Sequence, residues 1–237
     1  AAVDTEGELL AGAEVSQVSL ETGALMATVR SGDDGIWTAP VFFEEGQQEL
    51  LYPVAIHATA DGYAQGLSYS EIALRDPLAD YPMWTGPGQT LQAVSVRMPT
   101  VTLVPEGDGA VGEGVLIDAA TGEPVPRARM ILRQGWNAPD DRARVGAVNT
   151  DAEGRFVVDV VPAGVYTATI EPSGGYDLTR FPVAVAPVDQ PDQIGLIAPP
   201  DGPDAFRVAL VWDPVVADLD LHVTGPLAGE SAESARF

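Results

Sequence analysis

The chain has no cysteine, which removes disulfides, thiolate metal sites and a thiol nucleophile together, so any module must be held by its core alone. Lysine is missing too: all 12 basic residues are arginine. They are dispersed, as at Arg127, Arg129 and Arg133, among 35 Asp and Glu, for a formal charge of −23. Phosphate binding draws on clustered basic residues, so this surface repels nucleic acid, and for the same reason it avoids anionic membranes. Excess carboxylate instead favours solubility, divalent cations or cationic partners, and a high-salt setting in which self-repulsion is screened. No apolar run approaches the ~20 residues that span a bilayer. The start Ala1-Ala2-Val3-Asp4 lacks the regions of a signal peptide, so an exported form would be mature or truncated.

Histidine is limited to His57 and His222. Nucleophilic catalysis needs a base within reach of its Ser or Thr, and no Gly-x-Ser-x-Gly elbow accompanies either one. His57 lies opposite Val54, Ile56 and Ala58 in an alternating run and reads as a solvated strand position. These absences point away from an enzyme.

What is present is a folded chain. A hydrophobic fraction of 46% with 20% charged residues offers enough apolar surface for real cores, and 237 residues suggest two modules or two and a part. Glycine at 25 and proline at 20 punctuate short alternating runs, and no long segment keeps a 3.6-residue period; that is the pattern of an all-β protein. In Arg155-Phe156-Val157-Val158-Asp159-Val160, for example, Phe156, Val158 and Val160 share one face, as a half-buried strand requires. Pro162-Ala163-Gly164 then turns the chain into a strand from Val165 to Ile170.

One plan occurs twice. Glu6-Gly7-Glu8-Leu9-Leu10-Ala11-Gly12-Ala13-Glu14-Val15 matches Thr121-Gly122-Glu123-Pro124-Val125-Pro126-Arg127-Ala128-Arg129-Met130. Ser31-Gly32-Asp33-Asp34-Gly35-Ile36-Trp37 matches Asn149-Thr150-Asp151-Ala152-Glu153-Gly154-Arg155-Phe156, and Ile56 to Tyr63 matches Ile170 to Tyr176. Pro105-Glu106-Gly107-Asp108-Gly109 reads as a short linker between the copies, and Pro199-Pro200-Asp201-Gly202-Pro203 as a second one. Short Pro-containing linkers act as semi-rigid spacers, which predicts an elongated string of modules.

At these residues the chain resembles the carboxypeptidase regulatory-like domain family. The second copy carries that family's turn in Thr121-Gly122-Glu123-Pro124, its hairpin in Thr150-Asp151-Ala152-Glu153-Gly154-Arg155-Phe156 and its return in Pro162-Ala163-Gly164-Val165-Tyr166. The first copy is degenerate, with insertions at Glu44 to Gln48 and Asp76 to Thr90. Val208-Ala209-Leu210-Val211-Trp212-Asp213, followed by Asp218-Leu219-Asp220-Leu221-His222-Val223, resembles the opening of an uncharacterised bacterial surface β-domain. The resemblances imply tandem transthyretin-like or immunoglobulin-like β-sandwiches plus a partial third β-domain. The divisions expected are 1–104, 105–198, a Pro-rich linker at 199–204 and an incomplete domain at 205–237. They also imply a structural or adhesive role at a cell surface or outside the cell, in a fragment of a longer polypeptide. Its partners would be other domains of that parent or neighbouring subunits, with no cofactor required.

Three places could carry binding chemistry. Asp218, Asp220 and His222 alternate with Leu219, Leu221 and Val223 and so share one strand face. At ~3.3 Å per residue Asp218 and His222 stand ~13 Å apart, so one Ca²⁺ would need two neighbours plus a loop carboxylate such as Asp213; the competing reading is a polar strand face. Asp33-Asp34-Gly35 and Asp151 with Glu153 read as tight turns. Trp84, in Tyr81-Pro82-Met83-Trp84, and Trp136, in Gly135-Trp136-Asn137-Ala138-Pro139-Asp140-Asp141, sit among carboxylates. There they could stack on a glycan or anchor a protein, or fold back over their own sandwich edge.

Overall fold

Short alternating runs cut by glycine turns leave the backbone no local partner, so strands must pair across the chain. The computed structural model describes residues 1–39, 50–74, 83–86, 89–92, 98, 100–170, 175–188, 192–200, 224–226 and 234–236. The protein is all-β: among the described residues there is no helix, and so none long and apolar enough to cross a membrane. The chain divides into two units, Ala1–Asp204 and Ala205–Phe237. The second unit contains β18 (Thr224–Pro226) and β19 (Ser234–Arg236), an antiparallel pair; the apolar stripe expected at Leu219, Leu221 and Val223 lies outside the described residues.

In the first unit the early strands are β1 (Ala2–Val3), β2 (Glu14–Ser19), β3 (Leu25–Arg30), β4 (Leu50–Thr59), β5 (Tyr63–Ala64), β6 (Gly66–Leu74), β7 (Met83–Gly86), β8 (Gln89–Gln92), β9 (Val101–Thr102) and β10 (Val104–Pro105). The later strands are β11 (Gly112–Asp118), β12 (Arg129–Gln134), β13 (Arg144–Asn149), β14 (Arg155–Val158), β15 (Gly164–Ile170), β16 (Thr179–Val185) and β17 (Gln193–Ile197). Two four-stranded antiparallel sheets repeat one order, β3-β2-β4-β6 and β13-β12-β15-β16. Facing them are the parallel pair β1-β9 and the three-stranded sheet β14-β11-β17, in which β11 and β17 are again parallel. Each copy has its own core. One gathers Val15, Trp37, Val54, Ile56, Ile72 and Leu103; the other gathers Leu116, Met130, Leu132, Phe156, Ile170 and Ile197.

The repetition extends to single hydrogen bonds. Ser31 Oγ donates to the Leu10 carbonyl at 2.6 Å and accepts from the Ala13 N–H at 2.9 Å. Thr150 Oγ1 donates to the Val125 carbonyl at 2.8 Å and accepts from the Ala128 N–H at 2.9 Å. Both hydroxyls are buried, and each ties a strand start to the acidic turn that follows β3 or β13. In those turns Asp34 accepts from Ile36 N, and Asp151 accepts from Glu153 N and Arg155 N. These carboxylates act as turn caps, for which Asp is suited because its side chain bonds its own backbone two residues on.

Two sequence expectations shift. Val160 does not share the inner face with Phe156 and Val158: β14 ends at Val158, ahead of Pro162, and Val160 is 57% exposed while Val161 is buried. In the repeat, Val15 faces Ala58 as Met130 faces Ile170, so Ile170 corresponds to Ala58 rather than to Ile56.

The clamp also positions a strained residue. Arg127 holds φ at 58°, whereas the first copy has Gly12 there at 71°; a side chain in the left-handed region costs roughly 1–2 kcal/mol. Arg127→Gly is therefore expected to raise unfolding free energy by up to about 1 kcal/mol, part of the relief being offset by the freer unfolded chain. Gly154, at φ 75°, is the opposite case, since a Cβ there would lie 2.7 Å from Pro124 Cβ and 2.9 Å from Val125 N. Gly154→Ala should destabilise by more than about 2 kcal/mol. Urea titrations of both variants check the two signs.

Candidate inter-module interface

The strongest constellation of side chains lies between the two copies. β6 is an edge strand, and an edge leaves outward N–H and C=O groups that invite another strand. In the first copy β2 and β3 are joined by the tight turn at 20–24, but in the second the loop between β12 and β13 runs over 135–143 and crosses to β6 as a strap. Trp136 N–H donates to the Leu67 carbonyl at 2.8 Å, and the Trp136 carbonyl accepts from Tyr69 N–H at 3.0 Å, a parallel bridge centred on Ser68. Gly135 allows this approach. Its φ is +96°, and a Cβ there would lie 2.9 Å from Leu67 Cγ and 2.9 Å from Tyr69 Cε2, so a side chain is excluded on both conformational and steric grounds.

The strap is held to its own sheet by buried polar groups. Thr167 Oγ1 donates to the Gly135 carbonyl at 2.6 Å and accepts from Ala138 N–H at 2.7 Å. Arg133, 4% exposed, donates from Nε to the Arg142 carbonyl at 3.2 Å and from Nη1 to Thr169 Oγ1 at 3.0 Å. Its guanidinium stands 3.8 Å from the Asp140 carboxylate, which Arg180 also contacts. A buried guanidinium is tolerated where such partners compensate its lost hydration.

Apolar contact flanks the polar anchor on both sides. Ala138 packs with Ala55 and Tyr69, with Leu20 and Leu67 at the margin. The Arg142 guanidinium lies 5.5 Å from the centroid of the Tyr69 ring, within cation–π range. Burial pushes the Tyr69 phenol above its ordinary pKa, Arg142 draws it partly back, and Asp141 adds to the rise. Across the linker, Val104, Val165 and Ala186 form a second small cluster, and Gly107 sits against Pro187, where a Cβ would come within 2.8 Å of Pro187 Cγ. The linker is therefore no free spacer. It begins as β10, paired with β5, and Glu106 N–H donates to the Gly62 carbonyl. The two copies expected as an elongated string of modules touch through these two small clusters, while their main cores stay separate and no sheet among the described residues runs through residues 106–109.

The residues singled out in the sequence fall in different places. Trp136 is in the strap, where its backbone does the bonding and the residue as a whole is 38% exposed. Trp84 is in β7, opposite Leu91 of β8, inside the segment read as an insertion. Asp213, Asp218, Asp220 and His222 lie outside the described residues, as do Glu44 to Gln48. Among the described residues there is no group of three metal-ligating side chains. His57, on the outer face of the first sheet, is half-buried with Gln65 Nε2 3.1 Å from its Nδ1, and desolvation lowers its pKa below 6.5.

No family model matches the chain, and no curated protein matches it in sequence. Among solved structures, the Bacillus anthracis TIE protein is similar at 17% identity and TM-score 0.28, over 84% of this chain and 33% of that one. A streptococcal ancillary pilin is similar at 14% and 0.30, over 84% of this chain and 60% of that one. The shaft pilin SpaA of Lactobacillus rhamnosus GG is similar at 15% and 0.28, over 81% of this chain and 89% of that one. The chain thus spans a third of the first of these and 60% of the second. Likenesses of this size assign no function.

Thr167→Val keeps the shape and deletes both strap bonds, leaving a buried N–H and C=O unpaired, which costs on the order of 2–4 kcal/mol. The expected signature is local as well as global: the Tyr69 amide, which donates to Trp136, should exchange with solvent faster while the amides of β2 do not. Hydrogen exchange with a parallel urea titration reads both. A separate effect concerns pH. With its folded pKa below 6.5, His57 takes up a proton more readily in the unfolded chain, so its contribution to stability is complete above pH ~6.5 and declines as pH falls toward the folded value. His57→Gln should remove that decline, and the difference in unfolding free energy between the two proteins, followed from pH 8 to pH 5, measures it.

Proposed function

We propose that this chain is a non-catalytic structural or adhesive segment of a larger exported bacterial protein, acting at the cell surface or outside the cell as a stiff two-module spacer. The observation that carries the reading is the strap: a spacer must hold its modules in a fixed relation, and here backbone pairing at Trp136 and two apolar clusters join them, the strap being held to its own sheet by a buried arginine. The acidic, lysine-free surface suits a protein that stays soluble outside the cell. The finer family reading, carboxypeptidase regulatory-like sandwiches at 1–104 and 105–198 with a further β-domain from 205, is supported by the motif residues. Thr150 and Asp151 cap the hairpin into β14, and Phe156 fills the core. The partners in this reading are other domains of the parent polypeptide or neighbouring subunits.

A second reading, glycan- or Ca²⁺-binding accessory modules of an exported enzyme such as a peptidase, is favoured by the exposure of Trp136 in a sequence stretch that also carries Asp140 and Asp141. Pulling the whole chain between its termini distinguishes a spacer. Two force peaks are expected, each releasing on the order of 300 Å of chain, with the strap yielding at or before the first. A single gradual extension at low force would overturn the spacer. Quenching of tryptophan fluorescence by a sugar, or a Tm raised by CaCl2 beyond NaCl of equal ionic strength, would move the assignment to the second reading.

A further inference from the structure

Strand register fixes which residues of the two four-stranded sheets correspond. In the first, Val15 faces Ala58 and Ala58 faces Gly66; in the second, Met130 faces Ile170 and Ile170 faces Thr179. The hydroxyl clamps make Ala13 and Ala128 equivalent, hence also Val15 and Met130. Leu67 then corresponds to Arg180, Tyr69 to Pro182 and Glu71 to Ala184, and β6 and β16 are the same edge in the two copies.

The two edges are chemically unlike. On β6 the Tyr69 N–H donates to Trp136 and the Leu67 carbonyl accepts from it. On β16 the position of Tyr69 is taken by Pro182, which has no N–H to give. Two residues on, the outward groups of Ala184 are already engaged: its N–H donates to Gln193 Oε1 at 2.7 Å and its carbonyl accepts from Gln193 Nε2 at 2.8 Å. A primary amide presents one donor and one acceptor side by side, as a passing strand would, so Gln193 from β17 occupies the edge in a strand's place. At the other end of the pair the first copy has no strap to extend, only the turn at 20–24.

We infer that the interlock is built for this one junction, and that β16 is sealed against a further β-module or a second copy of this chain docking on it as Trp136 docks on β6. Proline on an edge and an occupied ladder are both recognised defences against strand addition. This goes beyond the spacer reading and stands on the chemistry of β16 alone, so pulling results that overturned the spacer would leave it intact.

Hydrogen exchange on the full chain tests the seal directly. In Gln193→Ala the Ala184 amide should exchange about fivefold faster, the loss of roughly one hydrogen bond, while amides of β12 and β15 keep the wild-type rate. If the alanine variant unfolds, Gln193→Met keeps the length of the stem, loses both bonds and carries the same expectation. Opening the edge further, Pro182→Val with Gln193→Met should make the sedimentation coefficient rise with concentration more steeply than in wild type, at a salt concentration that screens the net charge. An Ala184 amide that exchanges equally fast with and without Gln193 overturns the seal. Identical concentration dependence in the double variant overturns its role in keeping partners off.

Discussion

The outward N–H of Tyr69 and carbonyl of Leu67 have to be satisfied, and much of the chain is arranged around how that is done. A β-sheet solves its interior by pairing but leaves its edge open, and an open edge in water is a template for whatever strand comes past. Here the answer comes from the same polypeptide. The Trp136 peptide fills the edge, and to deliver it the second copy needs a loop longer than its counterpart, a glycine at 135 that can take φ +96°, and anchors on its own sheet at Thr167 and Arg133. Each requirement follows from the previous one. Without Gly135 the peptide cannot come close, and without Thr167 the ends of the strap leave buried groups unpaired. Without Asp140 the guanidinium of Arg133 loses its counter-charge.

The duplicated architecture shows where a fold tolerates change. The hydroxyl clamp, with Ser31 in one copy and Thr150 in the other, uses two residue types to the same end, because only the Oγ is needed. Trp37 and Phe156 fill one core position with different aromatics. Along the edges the copies part: Tyr69 against Pro182, a turn against a strap. Cores are constrained by packing on all sides, whereas edges are constrained by what each must meet or refuse, so the two copies diverge where their neighbours differ.

The same distinction explains what could be read from the amino-acid order. Turns were legible because Thr150-Asp151-Ala152-Glu153-Gly154 needs its hydroxyl, carboxylate and glycine for local reasons, and the alternation of Phe156 and Val158 gives a strand with one inner face. The strap was not. Trp136 among carboxylates reads as a binding loop or as an indole folded over its own sandwich edge, since its partner, Ser68 of β6, lies 68 residues earlier and nothing local points there. The available signal was the loss of alternation in Met130-Ile131-Leu132-Arg133: a strand apolar on both faces must be covered on both, and a charge at its end must be met by something brought across. Val160 was misread for the opposite reason, an alternation continuing in the sequence past the point where Pro162 ends the strand.

The stiffness that the proposed spacer requires would have to come from weak interactions acting together. With no cysteine and no lysine, a disulfide cannot tie one copy to the next, and an amide cross-link from a lysine side chain cannot either. A single strap hydrogen bond is worth about 1 kcal/mol net, too little to hold two domains against thermal motion. The contact is effective because it is made at two places: once Val104 sits on Val165 and Ala186, the strap meets β6 at a high effective concentration, and each contact lowers the ordering entropy the other must overcome. Pulling along the chain would load the strap bonds and the linker cluster together rather than one after the other. The geometry thereby substitutes cooperativity between small contacts for a covalent brace.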